Sequence, residues 1–543
     1  MDHEYGLKGV QISLHGLHLD QSEIFLISPK GTRVMLIGKK VCTGEKLDST
    51  LFTMESQTSA FKAKAPYKVN VRPVGDLALF NTGEDPNGKW RLTIGHGVTA
   101  DSLFQLRWSL IFDKEPAVPL EHFGSVLPIF TIQTKQEIPD EPKIEANLKV
   151  YYREGSCYNT ISDSSLYLKG LFNIELHGAS SRAMPKKPFN IETKPFMGMQ
   201  PDISLPGLPP EHAWVLVAAY SDKSLIRNPL AYTLYREMGH YAPRTRYVEL
   251  LVNGEYLGIY ILTEKIRRSK SRVNIAKSEI IDKSGNLDRS GGYIIKLDGN
   301  SGRASSGWAS NYVRNKAENP VYFQLAYPQN GEVDYIKNYI DSFETALVKY
   351  NPEDERKGYR QYIEVASFID KMILNEISNN LDGYRRSEYL VKDKGGKLAY
   401  GPAWDFDVAW GNCKIVGGNA ITYWRYLAPN TLKEHTPIWW EKMMQDKRYR
   451  QELSNRYLAL RKNVLSTTHI NALIDSMAQE ISPSVGRNFK KWDIMGIYVW
   501  PNPDPLPKSY GEEVAYLKAW ISRRLQWMDN QMKAFSEKEN PVL

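Results

Sequence analysis

The chain has 543 residues, too many for one ordinary hydrophobic core, so two or three domains are expected. Hydrophobic residues make up 42% and charged residues 24%, as in folded soluble proteins, and the net charge of +8 forms no dense basic stripe of the kind a nucleic-acid binder carries. Three scattered cysteines, Cys42, Cys157 and Cys413, exclude a disulfide framework and a CxxC metal site, and no apolar run approaches the ~18 residues of a spanning helix.

The first unit, residues 1–114, reads as all-β. "GVQISLHGL", "SEIFLISPKGTRVMLIG" and "LFQLRWSLIFD" are alternating or β-rich runs bounded by turn residues. "SPKGT" (Ser28–Thr32) is a hairpin-type turn, and "NTGEDPNGKWRLTI" (Asn81–Ile94) is a polar loop entering a further strand. Short strands at this spacing predict a β-sandwich. "KEPAVPLEHFGSVLP" (Lys114–Pro128) follows as a linker, placed at 115–127.

From residue 128 the strands resume with "IFTIQT" (Ile129–Thr134), "LKGLFNIELHG" (Leu168–Gly178) and "KPFNIETK" (Lys187–Lys194). A helix is expected over about 223–238. "YVELLVNGEYLGIYILTEKI" (Tyr247–Ile266) is a hairpin turned at Asn253-Gly254, the strongest short hairpin signal. "EKIRRSKSR" (Glu264–Arg272) is either a solvated loop or a contact for phosphate or an acidic substrate. After about residue 330 the apolar spacing becomes helical. A β-rich lobe (128–330) followed by a helical lobe (331–543) is therefore expected.

The densest chemistry lies around Asp382, Asp405 and Asp407. A helix through "SFIDKMILNEISNN" ends at the loop "NNLDGYRRS", a short hairpin turns at Lys394-Gly395-Gly396, and "AWDFDVAWGN" follows. A hairpin returns the chain to its starting point, so it brings Asp382 and Asp405 to one end of a cleft. Two carboxylates there repel unless a cation sits between them, and hard Mg²⁺ or Mn²⁺ with nucleotide phosphates suits oxygen ligands. Protein kinases use this order of parts. The other reading is structural: Asp405 pairs with Arg385 or Arg386 and Asp407 caps a turn.

Several blocks in order resemble the CotH family of spore-coat-type kinases with an atypical protein-kinase fold. "ELHGASSRAMPKKPFNIE", "SDKSLIRNPLAYTL", the Asn253-Gly254 hairpin and "NNLDGYRRSEYLVKDKGGKLAYGPAWDFDVAWGN" carry the likeness from about residue 126 to the C-terminus. The resemblance implies Asp382 as the catalytic base, Asp405 and Asp407 as metal ligands, and Lys186 or Lys187 as the phosphate-gripping lysine. It also implies Gly178, Ser180, Ser181 and Arg182 near the phosphates, with Glu264 contacting nucleotide or ordering a lysine. His177 stands where the family often has Arg, and Ser387 stands at the second metal-ligand position where kinases have Asn. These departures put two-metal catalysis in question.

Residues 1–114 resemble the proprotein-convertase P domain, a jelly-roll sandwich, through "SEIFLISPKGTRVMLI" and "NTGEDPNGKWRLTI". That likeness implies an extracytoplasmic accessory module, with Ca²⁺ a ligand in some relatives and no ligand residues assignable here. The two resemblances together imply a secreted or cell-surface bacterial kinase that uses ATP and Mg²⁺ or Mn²⁺ to phosphorylate Ser or Thr of a secreted or surface protein. An inactive scaffold acting as a surface binding protein is the alternative, and a kinase of glycans or small molecules the third. The N-terminus has no signal-type apolar segment, so an exported protein is expected to have lost its signal from this sequence.

Overall fold

Strand β1 (Gly6–His15) alternates buried Val10, Ile12 and Leu14 with Gln11, Ser13 and His15 on the other face, the period of a half-buried strand. The computed structural model describes residues 5–537 apart from 39–41, 57, 59, 61–62, 82–84, 97–104, 115–122, 155–157, 162–164, 282–284, 299–306, 313–319, 330, 353, 355 and 428–435. Cys157 and most of the expected linker lie outside the described residues.

Strands β2 (Ser22–Ile27) and β3 (Arg33–Ile37) form the expected hairpin, closed where Ser28 N donates to Thr32 O at 2.9 Å. Strands β4 (Lys46–Thr53), β5 (Asn70–Val71), β6 (Arg91–His96) and β7 (Gln105–Asp113) complete two sheets, ordered β5-β4-β1-β7 and β3-β2-β6. Val10, Ile12 and Leu14 of one sheet share an apolar core with Ile24, Leu26 and Leu36 of the other. Each such side chain removed from water contributes about 1.5–3 kcal/mol.

The second region begins with β8 (Gly124–Ser125), β9 (Ile129–Thr134), β10 (Ile144–Tyr151), β11 (Asn159–Thr160), β12 (Leu166–Leu176), β13 (Phe189–Thr193) and β14 (Ala213–Val217). Helix α1 (Arg227–Glu237) intervenes before β15 (Thr245–Val252) and β16 (Glu255–Glu264). Seven of these strands close into a barrel, β10-β12-β13-β14-β16-β15-β9, sealed by the parallel pairing of β15 with β9. Asn253 and Gly254, both at positive φ, turn β15 into β16 as their sequence predicts. Trp214, Leu216, Leu250 and Tyr260 are among the side chains filling the barrel.

Strands β17 (Ile280–Ile281), β18 (Leu287–Asp288), β19 (Tyr293–Leu297), β20 (Gly307–Ala309) and β21 (Tyr322–Tyr327) precede helices α2 (Asp334–Lys349) and α3 (Val365–Ser378). Strands β22 (Glu388–Lys392) and β23 (Leu398–Tyr400) then join β19–β21 in one sheet, ordered β20-β21-β19-β22-β23. The boundary expected near residue 330 therefore cuts through a sheet. Local periodicity cannot reveal that β22 pairs with β19 across two helices.

Helices α4 (Trp439–Gln445), α5 (Lys447–Arg461), α6 (Thr467–Lys491) and α7 (Tyr510–Glu537) complete the chain. With α1–α3 and the five-stranded sheet they enclose the largest apolar cluster. Helix α6 ties the regions together: Ile481 packs with Ile259 and Ile261 of the barrel, while Lys490 Nζ donates to Leu79 O of the sandwich at 3.0 Å. Among the described residues, no helix is long and apolar enough to cross a membrane.

Candidate active site

A cleft of about 1210 Å³ is walled by barrel residues on one side and by the Asp382 loop and the segment after β23 on the other. The helix–loop–hairpin–loop order builds its floor. Helix α3 ends at Asn379 in the left-handed conformation, φ +45°. Asn380 Oδ1 then accepts from Asp382 N at 3.2 Å, and Arg385 Nη2 pairs with Asp382 Oδ1 at 3.2 Å. The hairpin β22–β23 carries the chain back, and Asp382, Ser387, Asp405 and Asp407 all line the cleft.

Asp405 is held at φ +66°, a costly conformation for a residue with a side chain, of order 1–3 kcal/mol. Helix α1 supports it: Asp405 N donates to Tyr232 Oη at 3.1 Å, and Phe406 N donates to Asn228 Oδ1 at 2.6 Å. Phe406 is fully buried beneath, while the aspartates on either side of it face the cleft. The apolar residue between the two acids is thus the peg that fixes them.

Burial, and then repulsion from Asp382, pushes the Asp405 carboxyl up to about 6, although hydrogen bonds that it accepts from Ser387 and Asp407, and the charge of Lys296, pull it down. Burial, and then the charges of Asp405, Asp222 and Asp382, push Asp407 well above the usual carboxylate range. Ser387 Oγ donates to Asp405 Oδ2 at 3.1 Å, and Ser221 Oγ to Asp407 Oδ2 at 3.4 Å. Arg385 goes to Asp382 rather than to Asp405. Carboxylates that repel each other and sit among hydroxyl oxygens are a donor set that fits a hard divalent cation, which displaces the proton they otherwise retain.

The remaining sequence candidates divide. Gly178, Ser180 and Ser181 line the cleft, and so does Lys186. The Lys186 ammonium, however, donates to Ile259 O at 2.5 Å and to Asn488 Oδ1 at 3.1 Å, and lies 4.8 Å from the Tyr260 ring centre. Its burial lowers it to about 7. Lys187 is not among the lining residues; its Nζ donates to Arg182 O at 2.8 Å. Arg182 turns to an ion pair with Asp140. Glu264 is buried against Arg244, whose Nη2 lies at 2.8 Å, and accepts from Tyr241 at 3.2 Å. Arg182, Lys187 and Glu264 are therefore not brought to the cleft; side-chain direction, which spacing does not specify, aims each at a local partner.

The structure supplies cations that the sequence reading missed. Lys265, directly after Glu264, lines the cleft; burial and then the charge of Lys143 lower its pKa. Lys296 lines it from β19, paired with Asp298; burial opposes its charge, but Tyr389, Asp298 and Asp405 outweigh that and hold its proton. A lone lysine inside the apolar strand "YIIKL" was the available signal. His177 is half-buried; desolvation, and then the charges of Lys265 and Lys296, lower its pKa to about 4, so it is neutral at physiological pH. Among the described residues, the grouping with three metal-type side chains in mutual reach is elsewhere, at Asp202, Glu211 and His212, where Arg267 and Arg272 already face Glu211.

A search of curated proteins finds the inner spore coat protein H of Bacillus subtilis (strain 168), 20% identical over 280 residues, covering 51% of this chain and 70% of that protein. Among solved structures, a toxin–antitoxin complex of HipA, HipB and operator DNA from Shewanella oneidensis MR-1 aligns over 75% of this chain and 69% of its own, at 11% identity and a TM-score of 0.23. The family model described as CotH kinase protein matches residues 174–528, a span that runs from the end of β12 into α7 and contains Asp382, Asp405 and Asp407. The chain belongs to the CotH kinase family.

Proposed function

We propose that the protein is an ATP-dependent kinase that transfers the γ-phosphoryl group to Ser or Thr hydroxyls of a secreted or surface protein. The observation that carries this reading is the pair Asp405 and Asp407, half-buried, mutually repelling and beside Asp382 in one cleft. Asp382 is the acceptor-side base: it takes the hydroxyl proton as the acceptor oxygen bonds to the γ-phosphorus and ADP leaves. Asp405 and Asp407, with Ser387 beside them, are the residues to hold Mg²⁺ or Mn²⁺, which when bound neutralises phosphate charge. Lys265 and Lys296, rather than Lys186 or Lys187, face the phosphates, and the Gly178–Ser181 loop adds backbone donors. The sheets of residues 6–113 serve as a P-domain-like jelly-roll accessory module, and the protein works outside the cytoplasm, a location in keeping with a spore-coat relative.

A scaffold without transfer is the second reading, favoured by the Arg385 contact to Asp382 and by Ser387 at the second metal-ligand position. Calorimetric titration of ATP with Mg²⁺, Mn²⁺ or EDTA, on wild type and Asp405→Ala, separates them. The kinase reading expects binding that needs both metal and Asp405, with the variant still folded by thermal unfolding. Absence of binding under every condition leaves the scaffold.

A further inference from the structure

The segment between α6 and α7 carries a surface with no role in the scaffold. Ile497, Tyr498 and Trp500 turn outward, 52%, 44% and 49% exposed. Scattered exposed apolar residues are ordinary, but three large ones within four positions form a patch of the kind that marks a contact surface. Their backbone is fixed. Lys223 Nζ donates to Ile497 O at 2.5 Å, and Lys414 N donates to Pro501 O at 3.0 Å. Asn502 Nδ2 donates to Ser221 O at 2.8 Å and to Asn412 Oδ1 at 2.9 Å. Ser221 and Asn412 in turn hydrogen-bond Asp407, so this ledge is tied to the floor of the active site.

Trp500 itself lines the cleft that contains Asp382, while Ile497 and Tyr498 extend the apolar surface outside it. Charge on this side is mixed: Arg385 and Arg386 line the cleft beside Asp382, and Lys414 lies 4.3 Å from the Tyr498 ring centre while pairing with Asp504 at 3.4 Å. A preformed apolar surface costs little to order on binding.

We propose that the ledge Ile497-Tyr498-Trp500 docks the acceptor as an extended polypeptide, gripping a large apolar residue that flanks the phosphorylated Ser or Thr. The inference rests on the kinase reading above and names its substrate class. The ledge runs from the cleft wall outward, so its occupant spans from a hydroxyl at Asp382 to the protein exterior, which a small molecule does not. Aliphatic Ile497 offers no ring face to a sugar, whereas it matches a Leu, Phe or Val side chain.

The test uses the full chain and a fluorescein-labelled peptide library with a central Ser, each flanking position fixed as Phe, Glu or Gly, read by fluorescence anisotropy without turnover. A panel of chito- and malto-oligosaccharides serves as the sugar arm. Wild type is expected to select Phe at one flanking position. Ile497→Ser/Tyr498→Ser, two exposed side chains outside the cleft, should weaken that peptide about tenfold or more, as loss of a central anchor does, while metal-dependent ATP binding stays unchanged. Trp500→Ala should weaken the peptide further and Trp500→Phe should retain it. Peptide binding that is indifferent to these changes, or sugar binding that depends on them, overturns the proposal. Ledge-dependent peptide binding by a protein that binds no ATP supports the ledge and sinks only the kinase reading.

Discussion

Two regions of the molecule bury carboxylates, and they do so in opposite ways. In the helical scaffold several buried acids meet a cation directly. Lys371 lies 2.6 Å from Glu388, and Arg227 lies 2.5 Å from Asp222 and 2.7 Å from Glu513, all almost wholly out of water. In the cleft, half-buried Asp405 and Asp407 lie beside each other and Asp382, and Lys296 offsets the charge on Asp405 only in part. A cleft that crowds like charges is suited to a cation that neutralises them.

The largest expected effect tests the scaffold half of that contrast. Arg227→Leu leaves Asp222 and Glu513 facing each other out of water, and urea unfolding should show a loss of about 3–5 kcal/mol. A loss below 1 kcal/mol would mean that water reaches the site and the contrast is false.

Glu344 is an intermediate case: a buried acid whose hydrogen-bond partners are neutral, accepting from Ser310 Oγ and Trp439 Nε1, each at 2.8 Å. Burial raises it from 4.5 to about 7. The folded state thus binds the proton more tightly than the unfolded state. Its contribution to stability is full below pH 4.5 and is lost as pH rises to about 7, by at most about 3 kcal/mol. Glu344→Gln should flatten this part of the stability–pH curve; an unchanged slope would remove Glu344 as its source.

The cleft should respond to metal where the scaffold does not. Mg²⁺ or Mn²⁺ at about 100 times its dissociation constant should stabilise wild type by about 2.7 kcal/mol in thermal unfolding. The effect should grow as pH rises through about 6, where Asp405 gives up its proton, and vanish in Asp405→Asn. Asp405→Asn without metal should be no less stable than wild type, since it removes a repulsion. Marked destabilisation would instead show that the carboxylate serves the fold.

The smallest effect separates lysines. Lys265→Ala should weaken metal-dependent ATP binding by about 1.5–3 kcal/mol, the range for a charge-assisted hydrogen bond. Lys187→Ala, whose ammonium only caps a local carbonyl, should change it by less than about 0.5 kcal/mol. The reverse ranking would restore the pair of lysines that the sequence first suggested.

Much of this was legible before any coordinates. Asn253-Gly254 specified its hairpin because both residues accept positive φ, and Ser28–Thr32 did the same for β2–β3. The stretch Trp404–Asp407 left a metal clamp and a salt bridge with a turn cap open, and only the packing of Phe406 shows that both acids face the cleft. The lobe boundary was not legible, because β22 finds β19 only after two helices have folded back.

The sequence alone thus determined the β-rich start, the hairpins, the order of helix, loop, hairpin and loop, and the identity of the acidic triad, all of which depend on neighbours within a few residues. Tertiary structure decided which cations serve that triad. Lys186 and Lys265 are both lysines near strand ends and both line the cleft, yet the ammonium of the first is taken up by Ile259 and Asn488. Nothing local distinguishes them. The partner that captures Lys186 comes in part from α6, more than three hundred residues further along the chain, and only packing brings it there.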